Sequence, residues 1–133
     1  MDLIPENFRD LLSEEKKAFL HLATLNKDGS PQVTPIWFNT DGEHILINSA
    51  KGRIKDRNMR TSPQVALCIQ DPSNPYRYIQ IQGKIIEITE DGADAHIDTL
   101  MFKYHGKTKY PYKQPGEVRV RYTVQMLKVD AHG

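Results

Sequence analysis

The first limits on function come from what the chain has little of. It holds a single cysteine, Cys68, in 133 residues, which excludes an internal disulfide and any zinc or iron–sulfur site built on several thiolates. The five histidines, His21, His44, His96, His105 and His132, show no i, i+4 pair or other ligand spacing, so no metal site is expected. No apolar run approaches the roughly 20 residues that span a bilayer. Met1–Glu6 has no basic stretch ahead of an apolar one, so no secretory signal is expected and a cytoplasmic location is. Gly-x-Gly-x-x-Gly, a Walker-type Gly-Lys-Ser/Thr and a serine in a nucleophile-elbow context are all missing. So is an excess of charge of one sign. Eighteen basic and 17 acidic residues leave a net +1, which argues against nucleic acid or an anionic membrane as partner.

What is present is ordinary globular composition, with 26% charged and 38% hydrophobic residues, and a length suited to one domain over residues 1–133. Ile4, Phe8, Leu11 and Leu12 predict a short amphipathic helix over 5–12, with Pro5 in its first turn. Ala18–Leu25 reads as a strand ended by the turn residues Asn26–Ser30. Gln32–Phe38 and His44–Ser49 read as a strand pair across Asp41-Gly42. Lys51–Arg60 predicts a short, mostly exposed helix, Gln64–Gln70 a strand, and Tyr78–Ile88 a long strand bent at Gly83. Asp91–His105 carries the stripe Ala93, Ile97, Leu100, Met101 and Tyr104, with Asp91 as N-cap and Gly106 as stop. Glu117–Val129 alternates as a last strand. Six strands with two or three peripheral helices predict a mainly β fold, a single β-barrel with helices packed outside.

Three segments carry candidate chemistry. Asn48–Asn58 holds Lys51, Arg53, Lys55 and Arg57, with Arg60 just beyond, against one acid, Asp56. Ser49, Ala50 and Gly52 let a ligand approach the backbone, and a strand end feeding a helix start offers N–H groups to a phosphate. A solvated basic face is the plainer reading of the same residues. Gln32–Phe38 contains Pro35, which belongs at an edge or bulge and would expose backbone to a flat ring beside Trp37. A packed core strand is its alternative. Asn74-Pro75-Tyr76-Arg77-Tyr78 suits either closure over an anionic ligand, a subunit interface, or a simple loop. His21 reads as a satisfied structural histidine, and Cys68 as a buried inert thiol. Asp94 and Asp98 share a helical face but look solvated, so no catalytic carboxylate pair is read there, and no catalytic residue is named.

Taken in order, Leu22–Leu25, Asp28–Phe38, Lys51–Asn58, Asp71-Pro72, Asn74–Tyr78, Gly83, Asp91–Asp94 and Tyr110–Tyr112 resemble the pyridoxamine 5'-phosphate oxidase-like split β-barrel superfamily. Within it, the likeness is to the flavin and deazaflavin (F420-dependent) oxidoreductases. The resemblance implies an FMN-binding-like split β-barrel and a homodimer with cofactor sites at the subunit interface. It implies that Gln32, Val33, Thr34, Pro35, Ile36 and Trp37 line the cofactor ring. Asn48, Ser49, Ala50 and Lys51, with Arg53, Lys55 and Asn58, would hold its phosphate end, and Asn74, Pro75, Tyr76 and Arg77 would complete the site. The activity implied is hydride transfer between coenzyme F420 and a small organic acceptor. FMN is the alternative cofactor, and a non-catalytic cofactor-storage protein is the alternative function.

Overall fold

The computed structural model describes residues 1–133. Seven strands, β1 (Leu20–Leu25), β2 (Pro31–Ile36), β3 (Phe38–Thr40), β4 (Ile45–Ala50), β5 (Gln64–Asp71), β6 (Asn74–Thr89) and β7 (Arg119–His132), form one antiparallel sheet. Helix α1 (Ile54–Thr61) follows β4, helix α2 (Ala93–His105) follows β6, and a 3₁₀ helix over Glu6–Leu12 precedes the sheet. The sheet order is β2-β1-β5-β6-β7-β4-β3. Its two edges, β2 and β3, are therefore consecutive in the chain and separated by Trp37 alone. A sheet whose opposite edges are one residue apart must curl on itself, and the result is the split half-barrel of the expected class.

One cluster of buried apolar side chains fills the curl. Leu20, Leu22, Phe38, Ile45, Ile47, Leu67, Ile69, Ile79, Ile81, Val120, Tyr122 and Val124 alternate inward along six strands, as period-two patterning requires. Ile4, Phe8, Leu11 and Leu12 of the N-terminal segment join them. That segment is the short helix expected, of the 3₁₀ kind; at three residues per turn it stacks Phe8 and Leu11 on one side.

Several expectations are corrected. There are seven strands, not six, because the Gln32–Phe38 run divides at Trp37. Its first part pairs with β1 (Thr34 opposite Leu22), while β3 alone pairs with β4 (Phe38 opposite Ile47). The N-cap of α2 is Gly92, whose φ of +73° is a left-handed conformation open to glycine, and not Asp91. Helix α1 is less exposed than expected, since Asp56, Asn58 and Met59 are buried. Cys68 is half-buried rather than buried, and burial raises its thiol pKa. His21 is half-buried and makes no side-chain hydrogen bond.

The split is covered by the last turns of α2. Lys103, 5% exposed, donates from Nζ to the Phe38 carbonyl at 2.7 Å, and Phe38 N–H donates to the Tyr104 hydroxyl at 3.3 Å. Tyr104 in turn donates to the Ala18 carbonyl at 2.6 Å. Two neighbouring side chains thus occupy the backbone groups that an adjoining strand would have paired. The ring of Tyr104 stacks on Trp37 at 5.2 Å and on Phe19 at 5.4 Å, so the same helix sets the tryptophan at the seam.

Candidate functional site

A pocket of about 310 Å³ opens where the seam, the turn after β4, and α2 meet. Pro35, Ile36 and Trp37 come from the β2–β3 passage, Asn48 from β4, Arg53 and Lys55 from the basic turn, and Arg119 from β7. Ile97 and Leu100 of α2 give an apolar floor, and Tyr110 and Tyr112 of the following loop give an aromatic side. Tyr110 meets Trp37 edge-on with ring centroids 6.4 Å apart. The loop is held by Asp98, which accepts the Tyr110 N–H at 2.8 Å, and by Lys113 on Asp94 at 3.1 Å. Asp94 is solvated as expected, with an exposed side chain, whereas Asp98 is half-buried and fastens this wall.

The sequence places the basic residues here for a local reason. Asp56, 1% exposed, accepts the Gly52 N–H at 2.9 Å, the Tyr122 hydroxyl at 2.5 Å and Arg60 Nε at 3.0 Å. Gly52 has a φ of +91°, which sharpens the turn. The single acid of the segment is thus spent on folding the turn, and the cations around it are left to face outward.

Positive charge converges on the pocket. Lys55 is half-buried and makes no hydrogen bond or ion pair; burial, and then the charges of Arg53 and Arg119, lower its pKa. Arg119 is 4% exposed, donating from Nε to Asn48 Oδ1 at 2.9 Å and from Nη1 to Glu117 Oε2 at 3.3 Å. Its Nη2 has no protein partner and is not sealed from solvent. Glu117 also takes Arg53 at 3.5 Å. Two of the three cations therefore share one carboxylate, and Lys55 has none, beside an apolar and aromatic wall. That donor set fits a ligand with a flat ring and an anionic end.

Of the residues expected at a cofactor site, Pro35, Ile36, Trp37, Asn48, Arg53 and Lys55 are brought together. Gln32 instead accepts the Thr24 hydroxyl at 3.1 Å, Val33 faces outward from the sheet, and the Thr34 hydroxyl is buried without a partner. Ser49 and Ala50 are buried, the Ser49 hydroxyl also unpartnered, and Lys51 pairs with Glu90 at 3.1 Å on the surface. Asn58 is spent on Thr24 and Asn26. Asn74, Pro75 and Tyr76 are exposed at the start of β6 and do not line this pocket. Arg77 is bound to Asp10, Asp71 and the Asn7 carbonyl, where it ties down the N-terminal segment. Arg119, Ile97 and Leu100 were not foreseen. Arg119 lies on the outward side of its strand's alternation, where a cation reads as solvated, but Asn48, Glu117 and the Tyr110 ring at 5.3 Å lie against it on the face that α2 packs over.

A family model described as pyridoxamine 5'-phosphate oxidase matches residues 4–130. No curated protein sequence matches the chain significantly. Among solved structures, one named an F420 reductase superposes with a TM-score of 0.82 at 33% identity, over 96% of this chain and 98% of that one. A conserved hypothetical protein from Mycobacterium tuberculosis gives 0.74 at 20% identity, over 97% and 84%. HupZ from Group A Streptococcus gives 0.68 at 15% identity, over 96% and 93%. The last two identities establish a shared fold alone.

Proposed function

The chain belongs to the pyridoxamine 5'-phosphate oxidase family, and on that premise we propose that it is an oxidoreductase using coenzyme F420 to pass a hydride to a small organic acceptor. The family and the F420 reductase neighbour fit an oxidoreductase. The observation that carries the reading is the convergence of an unpaired Lys55, Arg53 and the free Nη2 edge of Arg119 beside the Trp37 wall. Lys55 and Arg119 would hold a phosphate, with Arg53 at its outer side. Ile36, Trp37, Ile97 and Leu100 would shield a ring face from water. Exposed Arg57, which has no ion pair, would meet a glutamate tail such as F420 carries. FMN ends at its phosphate and is the alternative.

The chemistry supplied by a bound deazaflavin is hydride transfer from a ring carbon. The demands on the protein are orientation, a dry face and charge complementarity, and no side chain need act as a nucleophile. We further propose a homodimer. The outer face of β1, β2, β5 and β6 presents Val33, Ala23, Ala66 and Cys68 around grooves of about 430 and 280 Å³. These are small, largely uncharged residues suited to a second copy. The exposed Asn74–Tyr76 of one copy would then complete the pocket of the other.

The test is titration with F420 and with FMN, following the emission of Trp37, which is the only tryptophan. Binding should quench it, and Lys55→Ala should weaken binding by about tenfold or more, as expected for a lost charge-assisted contact. If neither compound changes the emission of Trp37, and F420's own fluorescence is unaltered, the reading fails. Binding without turnover across a panel of electron-poor acceptors would favour a cofactor carrier instead. Light scattering at micromolar concentration decides the dimer.

A further inference from the structure

Beneath the pocket lies a buried polar relay that the cofactor reading does not require but which bears on it. Four side chains take part: Asn39 of β3, His96 of α2, Asn48 of β4 and Arg119 of β7. Asn48, His96 and Arg119 are 4%, 7% and 4% exposed. His96 Nε2 lies 2.8 Å from Asn39 Oδ1, and its Nδ1 lies 3.1 Å from Asn48 Nδ2. Asn48 Nδ2 also donates to the Ala93 carbonyl at 2.9 Å, and Asn48 Oδ1 accepts Arg119 Nε at 2.9 Å.

The direction of every bond in the relay follows from one fact, that a guanidinium has donors and no acceptor. Arg119 Nε must donate, so the Asn48 atom facing it is the carbonyl oxygen. The Asn48 amide nitrogen then faces the Ala93 carbonyl, which can only accept, and uses one hydrogen there. Its second hydrogen points at His96 Nδ1, which must therefore carry a lone pair. The imidazole proton sits on Nε2 and is donated to Asn39 Oδ1. The tautomer of His96 is thus dictated by an arginine two side chains away. Burial, together with the charges of Arg121 and Arg119, lowers the His96 pKa to about 4, which keeps the ring neutral.

We infer that Asn48 and His96 are positioning residues for the anion pocket, acting through Arg119. Asn48 holds Nε and Glu117 holds Nη1, so two of the three guanidinium nitrogens are fixed, and Nη2 is the one left to meet a ligand in the pocket that Arg119 lines. Asn48 can do this because both hydrogens of its own amide are taken, one by Ala93 and one by His96. If the His96 acceptor is removed, a buried N–H is left unpaired and the Asn48 amide has reason to turn away from Arg119. The inference rests on the anion-binding reading for its purpose, but the positioning itself is measurable without any cofactor.

The experiment compares His96→Asn with His96→Gln in the full chain. Asparagine places its oxygen near the position of Nδ1 and keeps the acceptor for Asn48. Glutamine places its amide near Nε2 and keeps the donor for Asn39. Each variant loses one bond, so a merely structural role predicts the same loss of stability and the same pocket. Nitrogen NMR of the unliganded protein should show wild-type His96 as the neutral Nε2–H tautomer. The Arg119 Nε–H signal should be sharp and slowly exchanging in wild type and His96→Asn, but exchange about tenfold faster or more in His96→Gln. Affinity for F420 or FMN should follow the same order. An Nδ1–H tautomer in wild type, or equal Arg119 exchange in the two variants, overturns the inference. If the wild type binds neither compound, the cofactor reading falls, while the Arg119 signal still decides the positioning.

Discussion

Replacing Asp56 should cost the fold more than any other single change near the basic turn. In Asp56→Ala, three donors lose their acceptor at once. The Tyr122 hydroxyl is fully buried and has no second partner; leaving it unsatisfied costs about 1–3 kcal/mol, toward the upper end because the bond was to a charged group. Gly52 N–H sits in a partly buried turn that water reaches, adding about 0.5–1 kcal/mol. Arg60 is 40% exposed on its side chain, so its pair with Asp56 is screened and contributes about 0.5 kcal/mol. The sum is about 3–4 kcal/mol, a fall in Tm on the order of 10 °C for a domain of this size. Urea unfolding measures it, with an unchanged m-value showing that the native state is otherwise intact. Tyr122→Phe removes the orphaned hydroxyl, so the double variant should recover about 1–2 kcal/mol relative to additivity. The acid limb gives a second check. Burial alone would raise the Asp56 pKa, but Gly52, Tyr122 and Arg60 together hold it below the ordinary 3.8. Its stabilisation is therefore present above pH 4 and lost as the pH falls through the depressed value. A loss under about 1 kcal/mol, or strict additivity with Tyr122→Phe, would refute the account.

Gly83→Ala places a Cβ 2.7 Å from Cγ1 of Val124, a stiff buried side chain, and 3.2 Å from the Gln125 carbonyl. A cost of about 1–3 kcal/mol in chemical denaturation is expected, and a neutral result would mean that β6 and β7 separate freely at the bulge. Asp71 is held at about 2 by the Ser73 N–H and hydroxyl, and further by Arg77 and Lys16. Its stabilisation is present above the ordinary 3.8 and lost as the pH falls through about 2, so amide exchange over Ile4–Leu12 should accelerate in that window before the barrel opens, and Asp71→Asn should produce the same acceleration at neutral pH. Lys103 shows the opposite sign: burial lowers its pKa from 10.5 to about 8, so the unfolded chain binds the proton more tightly across that interval and stability should rise as the pH climbs through it. The gain is at most about 3 kcal/mol, less whatever the Phe38 and Tyr104 rings contribute to the ammonium at 4.0 and 5.0 Å. Lys103→Met should flatten this limb of the pH–stability curve.

Strand periodicity carried most of the fold. Val65, Leu67 and Ile69 alternate inward as their spacing demands, and Gly83 marks a real irregularity in β6. What failed was the division of Gln32–Phe38, and the failure is physical. Nothing in a run of strand-forming residues says that its two ends pair with opposite edges of a curled sheet. That information lies in which neighbour each half takes, Leu20–Leu25 before it and Ile45–Ala50 after it, and in Lys103 and Tyr104, which occupy the Phe38 backbone from a helix more than sixty residues away. The α2 cap failed for a different reason: Asp91 is a good N-cap by type, but Gly92 beside it takes the left-handed backbone that the entry into the helix requires.

The site divides along the same line. Arg53 and Lys55 in the basic turn and Trp37 between β2 and β3 were legible as candidates from local composition, but their proposed roles came from the family resemblance, since the same residues also read as a solvated face and a packed strand. Arg119 was not legible, because its proposed role depends on being buried. In the alternation of β7 it stands on the side opposite Val120 and Tyr122, which a strand pattern assigns to water. Helix α2 then lies across that side, and an arginine beneath it must find acceptors for its donors. Asn48 and Glu117 supply two, Nη2 keeps no protein partner, and the residue lines the pocket. A buried cation with one nitrogen free of protein partners beside a pocket supports an anionic ligand more strongly than five cations on a solvated turn. The turn can be satisfied by water, whereas Arg119 is 4% exposed and lines the pocket.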